Sequence, residues 1–173
     1  MKARPATAAD FDAILVLNEE SVAALSPLTV EQLSALHAQA ALHRVVEDDG
    51  AVVAFMLALR ENAEYDSPNF QWFFARYDRF LYVDRIVVSR NARARGAGTL
   101  LYRELFEFAA ASSVDLVTCE YDLDPPNPRS RRFHARFGFA EVGRQRLAGN
   151  GKHVSLQAAR VALQGFSGEP VSE

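Results

Sequence analysis

The chain holds one cysteine, Cys119, in 173 residues, so no disulfide can form within it. That usage suits a reducing compartment. A basic excess is missing too: 19 Lys and Arg face 22 Asp and Glu, for a formal charge of -3. Without surplus cations to displace counterions from phosphates, the composition argues against a general nucleic-acid binder, although a local arginine cluster can still hold a small anion. Long apolar segments are absent. The longest clean run, "AVVAFMLAL" at 51–59, falls far short of the roughly 20 residues that span a bilayer. The opening "MKARPATAADFD" carries no apolar signal core. No internal repeat, low-complexity tract or linker interrupts the chain. What remains is 49% hydrophobic and 24% charged, the balance of an ordinary globule with enough length for one core. The expectation is one cytoplasmic domain over 1–165 with a frayed tail at 166–173, and neither membrane nor nucleic acid as partner.

Local patterns order the elements. "KARPAT" reads as a short strand, and Thr7 or Asp10 caps a helix carrying Phe11, Ile14, Leu15 and Leu17. Thr29 and Gln32 form a capping-box pattern after Pro27. "LHRVVEDDGAVVAFMLAL" predicts two strands joined by an Asp-Gly turn. Residues 61–80 fit neither period and read as a long aromatic loop. "LYVDRIVVS" (81–89) is a strand, Leu101, Leu105, Phe108 and Ala109 stripe a helix, and "VDLVTCEYDL" (114–123) is the next strand. Asn127 at the cap and Pro128 at the first helical position open a further helix that Gly138 closes. Two strands around "AGNG" finish the chain. The strand 81–89, its helix and strand 114–123 should form a parallel crossover.

Between that strand and its helix lies "RNARARGAGTL" (90–100). A glycine-rich turn into a helix is an anion site, since the first helical amides lack internal partners and the dipole favours negative charge. Gly96 and Gly98 let backbone approach an anion, and Arg93 and Arg95 add cations. A nucleotide P-loop is excluded because Thr99 and Leu100, not Lys-Ser/Thr, follow Gly98. The dinucleotide fingerprint fails at Leu101, where it needs glycine. The plainer reading, a tight turn with solvated arginines, stays open on these residues alone.

The surroundings add a second motif. "NPRSRRFHARFGF" (127–139) places Asn127, a small residue three later, an aromatic six later, and Gly-Phe at its end. Together with Arg-x-x-Gly-x-Gly at 93–98, it resembles the GNAT superfamily of acyl-CoA-dependent N-acetyltransferases. The resemblance implies an α/β fold of α+β type: a mixed central sheet of about seven strands flanked by helices, splayed between the fourth and fifth strands. It implies acetyl-CoA as cosubstrate and no metal. The amides of Arg95, Gly96, Ala97, Gly98 and Thr99, in a loop opened by Arg93 and Ala94, would cradle the pyrophosphate. Ile86, Val87 and Val88 would pair with the pantetheine arm like an added strand, and Asn127 would contact that arm as well as capping its helix.

The implied chemistry sets further demands. An ordinary lysine-type amine has a pKa of about 10.4, so the acceptor must lose a proton before it attacks a thioester. Two carboxylates sit on the splayed strands, Glu120 and Asp84. Charge is costly in a central strand unless it faces a wet cleft. Either is a candidate base, Glu120 favoured, with a salt bridge to an arginine such as Arg85 as the plainer role. Strand alternation groups Asp84 with Tyr82 and Ile86. The Val88 amide would receive the oxyanion. His134 stands where the family usually has a tyrosine that protonates the leaving thiolate; histidine can do so near neutral pH, or it can simply be a half-buried helix residue. Tyr102 and Tyr121 are remote backups. Cys119 reads as a packing thiol.

The acceptor side is expected from the first helices and 61–80. Trp72 and Phe73, with Tyr82, are the candidate pocket residues, and Glu19 and Glu20 are available to a cationic substrate. The reading is an enzyme acetylating a primary amine of a small molecule. The alternatives are a peptide or protein N-terminal acetyltransferase, or a catalytically silent coenzyme A sensor. Monomer and homodimer remain equally open.

Overall fold

The computed structural model describes residues 1–21, 25–149 and 151–161. The expected tail and the Asn150 position of the "AGNG" turn lie outside them. Strands are β1 (Lys2–Pro5), β2 (Leu42–Asp48), β3 (Ala51–Arg60), β4 (Leu81–Val88), β5 (Leu116–Asp124), β6 (Ala140–Arg146) and β7 (His153–Arg160). Helices are α1 (Phe11–Glu19), α2 (Val30–Gln39), α3 (Pro68–Phe74), α4 (Ala97–Ala111) and α5 (Pro128–Arg136). One seven-stranded sheet has the order β1-β2-β3-β4-β5-β7-β6. All its pairings are antiparallel except β4 with β5. The mixed α/β sheet with flanking helices is the expected fold.

The run "AVVAFMLAL" explains the layering. Along β3, Ala54, Met56 and Ala58 face a core built with Leu101, Tyr102, Leu105 and Phe106 of α4. The alternate residues Phe55, Leu57 and Leu59 face a second core with Ile14, Leu17, Leu33, Leu36 and Phe70. An uninterrupted apolar strand is what a sheet covered on both faces requires. Local signals hold where expected. Asp49 and Gly50, at φ 48° and 78°, turn β2 into β3, as an Asp-Gly hairpin should. Thr29 and Gln32 close their capping box. The Asp10 carboxylate accepts from the Thr7 amide and hydroxyl and from Arg4, tying β1 to the start of α1.

Two departures position the site. Residues 61–80 are not all loop: Pro68 at the first helical position opens α3, where its missing N–H costs nothing. The second is a bulge in β4. Leu57 pairs with Arg85 and Ala58 with Val83, leaving Asp84 as the extra residue. Strict alternation fails there. Tyr82 and Val87 face the α1–α2–α3 core while Ile86 and Val88 pack towards α4, so the grouping of Asp84 with Ile86 is corrected. Asp84 and Arg85 bend together instead and pair with each other.

Beyond the bulge the sheet opens. β4 and β5 pair only at Leu81–Val117 and Tyr82–Thr118. Cys119, Glu120 and the residues after them bond to β7 alone. The β5-facing backbone edge of β4 from Asp84 to Val88 is therefore left without a strand partner among the described residues.

Candidate active site

The splay opens into a cavity of about 1400 Å³. One end is the turn into α4. Gly96 is the cap at φ 90°, a left-handed geometry suited to glycine. Ala94 also has positive φ, 66°, so the segment folds into a concave backbone turn. The first backbone bond of α4 outside that turn runs from the Leu100 N–H to the Gly96 carbonyl. The amides of Ala97, Gly98 and Thr99 thus precede it and keep their donors free for a ligand. Arg93, Arg103, Arg129, Arg132 and Arg136 line the same end, an anionic ligand's natural counter-charge. Arg95 is different. Its guanidinium is held by Asp48 at 2.8 Å and its amide donates to the Ala92 carbonyl at 3.3 Å, so the expected contact from this amide gives way to those of the residues that follow it. Arg93 donates to the Val88 carbonyl at 3.3 Å. Gly98 serves packing as well: a Cβ there would stand 3.3 Å from the Phe133 ring, so α5 approaches α4 through the missing side chain.

At the splay, Glu120 lines the cavity from β5. Its Oε1 accepts from Asn69 Nδ2 at 2.9 Å and from the Tyr82 hydroxyl at 3.0 Å. Its Oε2 is buried with no partner. Burial dominates and pushes its pKa up to about 8, with Asp84 adding repulsion and the two donors opposing both. Tyr82 is fully buried; burial and the nearby carboxylates hold its hydroxyl well above the usual range, which keeps it a donor. Burial likewise raises the Cys119 thiol, which argues for a packing role there.

Asp84 has a different environment. Arg85 donates to its Oδ2 at 2.6 Å and Tyr65 to its Oδ1 at 2.6 Å, with both charged side chains only 4% exposed. Arg85 also donates to Asn18 at 2.9 Å. Both Asp84 oxygens therefore have donors, whereas Glu120 keeps one free. Glu19 and Glu20 are exposed and lie outside this cavity's lining; the buried polar residue of that helix end is Asn18.

His134 is 5% exposed. Its Nδ1 lies 2.8 Å from the Ser130 carbonyl, which only accepts, so the ring hydrogen sits on Nδ1. Its Nε2 lies 2.7 Å from the Tyr102 hydroxyl and accepts from it. Burial lowers the His134 pKa, disfavouring the imidazolium. The acid role expected of this histidine is not what the geometry provides: Nε2 has no hydrogen to give. Asn127, by contrast, caps α5 as expected, accepting from the Ser130 amide at 3.0 Å, and lines the cavity too.

The aromatic expectation needs correction. Phe73 is fully buried in the core, and Trp72 packs edge-on to Phe73 and against Gly143 of β6. Neither lines the cavity. Tyr65, Asp66, Pro68 and Asn69 do so from the same segment. Their signal was slight: Pro-Asn at a helix start says nothing of what the asparagine will face across the fold.

A splayed strand pair, with an amide-rich turn at one end and a buried carboxylate at the other, defines an acyl-coenzyme A transferase fold. The chain belongs to the Acetyltransferase (GNAT) family, which residues 12–139 match. A phosphinothricin N-acetyltransferase of Streptomyces coelicolor is 44% identical over 64 residues, a stretch covering 37% of this chain and 36% of that protein. Among solved structures, the ribosomal-protein-S18-alanine N-acetyltransferase of Escherichia coli superposes with a TM-score of 0.71 at 13% identity, covering 96% of this chain and 97% of that one. The yncA protein of Salmonella typhimurium, solved with its cofactor acetyl-CoA, gives 0.70 at 18% identity over 93% and 94%. Likeness at these identities concerns the fold. No helix among the described residues is long and apolar enough to cross a membrane. Among those residues, no group of three or more His, Cys, Asp and Glu is placed to hold a metal.

Proposed function

We propose that this protein is an acetyl-CoA-dependent N-acetyltransferase moving acetyl directly to a primary amine of a small molecule. One observation carries the reading: the unpartnered, buried Oε2 of Glu120 lines the same cavity as the free amides of the α4 turn. Bound acetyl-CoA supplies a thioester that a free amine can attack. The amides of Ala97 to Thr99 and the neighbouring arginines would hold its phosphates, and the open edge of β4 at Ile86 to Val88 would pair with its arm.

The acceptor arrives as an ammonium, drawn by Asp66 and Glu120, which line the cavity, while Asp122 is paired with Lys152. Glu120 takes one of its protons at Oε2, directly or through a water. The amine nitrogen then bonds to the carbonyl carbon while the Val88 amide faces the developing oxyanion. The carbon–sulfur bond would then break, with the second proton of the nitrogen passing to the departing thiolate directly or through water, so that the amide product and coenzyme A thiol leave and Glu120 returns its own proton to solvent. Asp84, already fully donated to, serves in this scheme by keeping Arg85 neutralised beside the pocket. The short match to a phosphinothricin N-acetyltransferase supports a small-molecule acceptor.

Isothermal titration with acetyl-CoA, run beside thiol release against a panel of amines and short peptides, tests the reading. Binding with thiol release on small amines supports it. Turnover on peptides alone replaces the acceptor with a peptide N-terminus. Binding without turnover makes the protein a coenzyme A sensor, and no binding removes the cofactor assignment.

A further inference from the structure

Glu120 is held by a chain of amides that reaches across three elements. Gln145, on edge strand β6, donates from Nε2 to Asn69 Oδ1 at 3.0 Å. Asn69, buried near the start of α3, donates from Nδ2 to Glu120 Oε1 at 2.9 Å. An asparagine amide has one accepting and one donating end. With Gln145 occupying the accepting end, the donating end must face Glu120. A flipped Asn69 would set oxygen against carboxylate oxygen and NH₂ against NH₂. The Tyr82 hydroxyl donates to the same Oε1. The result is a carboxylate with one oxygen doubly donated to and the other free.

Resting on the assignment of Glu120 as the base, we infer that Asn69 and Gln145 are positioning residues of the acetyl transfer. Asn69 favours the ionised, acceptor form of Glu120 and leaves Oε2 available, and Gln145 acts through Asn69 by fixing its amide. Donors to a carboxylate favour its charged state, while burial in this wall of the cavity opposes it. The other groups facing Glu120 are accounted for. Asp84 and Asp122 repel its charge, Tyr82 donates, and Tyr65, Tyr102 and Cys119 stay neutral with raised pKa values. The cations of the same cavity, Arg85 and Lys152, are paired with Asp84 and Asp122, so Asn69 is a neutral donor set among acids.

The test uses the whole protein labelled with ¹³C at the glutamate side-chain carboxyls, titrated by NMR without any ligand. Glu120→Gln identifies the Glu120 resonance by its loss. The Glu120 midpoint in the unaltered protein is expected near 8. Asn69→Leu should raise it by about one pH unit, and Gln145→Leu should raise it less. The double variant should match Asn69→Leu alone, because among the described residues Gln145 reaches Glu120 through Asn69. An unmoved midpoint in both folded single variants overturns the inference. So does full additivity in the double variant, which would make the two effects separate. If Asn69→Leu does not fold, Gln145→Leu, at a half-buried position of the otherwise mostly exposed edge strand, decides alone. Failure of the base assignment looks different: Glu120→Gln would keep full thiol release on an accepted amine, whatever the midpoints do.

Discussion

Tyr102 gives its hydroxyl hydrogen to Nε2 of His134 across 2.7 Å, joining α4 to α5 behind the glycine turn. Around this bond, Phe133, Phe137 and Phe139 crowd the Tyr102 ring with centroids 4.9–5.9 Å away. The pair is a buried polar rivet in an aromatic cluster. Low dielectric strengthens such a bond and makes its loss expensive.

His134→Phe should therefore act on stability first. It strips the hydroxyl of fully buried Tyr102 of its acceptor, at a cost of about 1–3 kcal/mol, and removes the ring's bond to Ser130. Urea unfolding measures the loss, with His134→Phe in a Tyr102→Phe background recovering part of it. Because Nε2 carries no hydrogen, the alkaline branch of turnover should keep its shape. A selective collapse of that branch at unchanged stability would return the thiolate's proton to His134.

The two glycines of the turn should fail differently. Gly96 has open space around its missing Cβ but φ of 90°, so Gly96→Ala strains the backbone by about 1–2 kcal/mol. Relaxing that strain spreads the amides, and acetyl-CoA affinity should fall about tenfold for each 1.4 kcal/mol of binding lost. Gly98 has ordinary φ, but an added methyl meets Phe133 at 3.3 Å. Gly98→Ala should lower the melting temperature by shifting α5, with a smaller effect on affinity. Calorimetry with acetyl-CoA beside thermal melts separates the two; equal affinity losses with unchanged melting would refute the distinction.

Much of this arrangement was written locally. The Asp-Gly hairpin, the Thr29–Gln32 box, the Asn127–Pro128 helix start and the glycine turn each depend on residues within a few positions of one another. The parts that escaped are non-local. Period-two counting carried Ile86 onto the face of Asp84 because a bulge is invisible until β3 is laid beside β4. The aromatic load of 61–80 showed that rings would be buried, yet not that Phe73 would fill the core while Asn69 took the cavity wall. His134 was legible as a substitution for tyrosine, but its tautomer is decided by a carbonyl one turn away and a hydroxyl on another helix.

Trp72 offers a direct check on the packing side of that correction. A Cβ on Gly143 would run into the Trp72 indole, and Arg76 covers that ring at 3.9 Å. Gly143→Ala should destabilise the protein by about 1–3 kcal/mol through overpacking, and a Trp72→Phe background should relieve most of it. If Trp72 were instead a pocket wall, Gly143→Ala would leave stability alone and Trp72→Phe would change acceptor KM.

Glu120 should reveal itself in stability as well as in rate. Its pKa is raised in the folded protein from about 4.5 to about 8, chiefly by burial. The folded state therefore holds a proton that the unfolded chain releases, and the stability this confers is fully present below pH 4.5. It is lost as pH rises through 8, when the charged carboxylate must be kept in the wall of the cavity. Glu120→Gln removes the ionisation, so its stability relative to the unaltered protein should be near zero at pH 4.5. That difference should grow across the window to a few kcal/mol in favour of the variant above pH 8. Over the same range the unaltered enzyme's turnover should rise as Oε2 becomes free to accept a proton, while the variant's turnover should show no break near 8. Chemical denaturation at several pH values, paired with thiol-release rates, reads both. Gained alkaline stability together with a lost break identifies Glu120 as a base kept at the expense of the fold; gained stability with an unchanged break moves the base elsewhere.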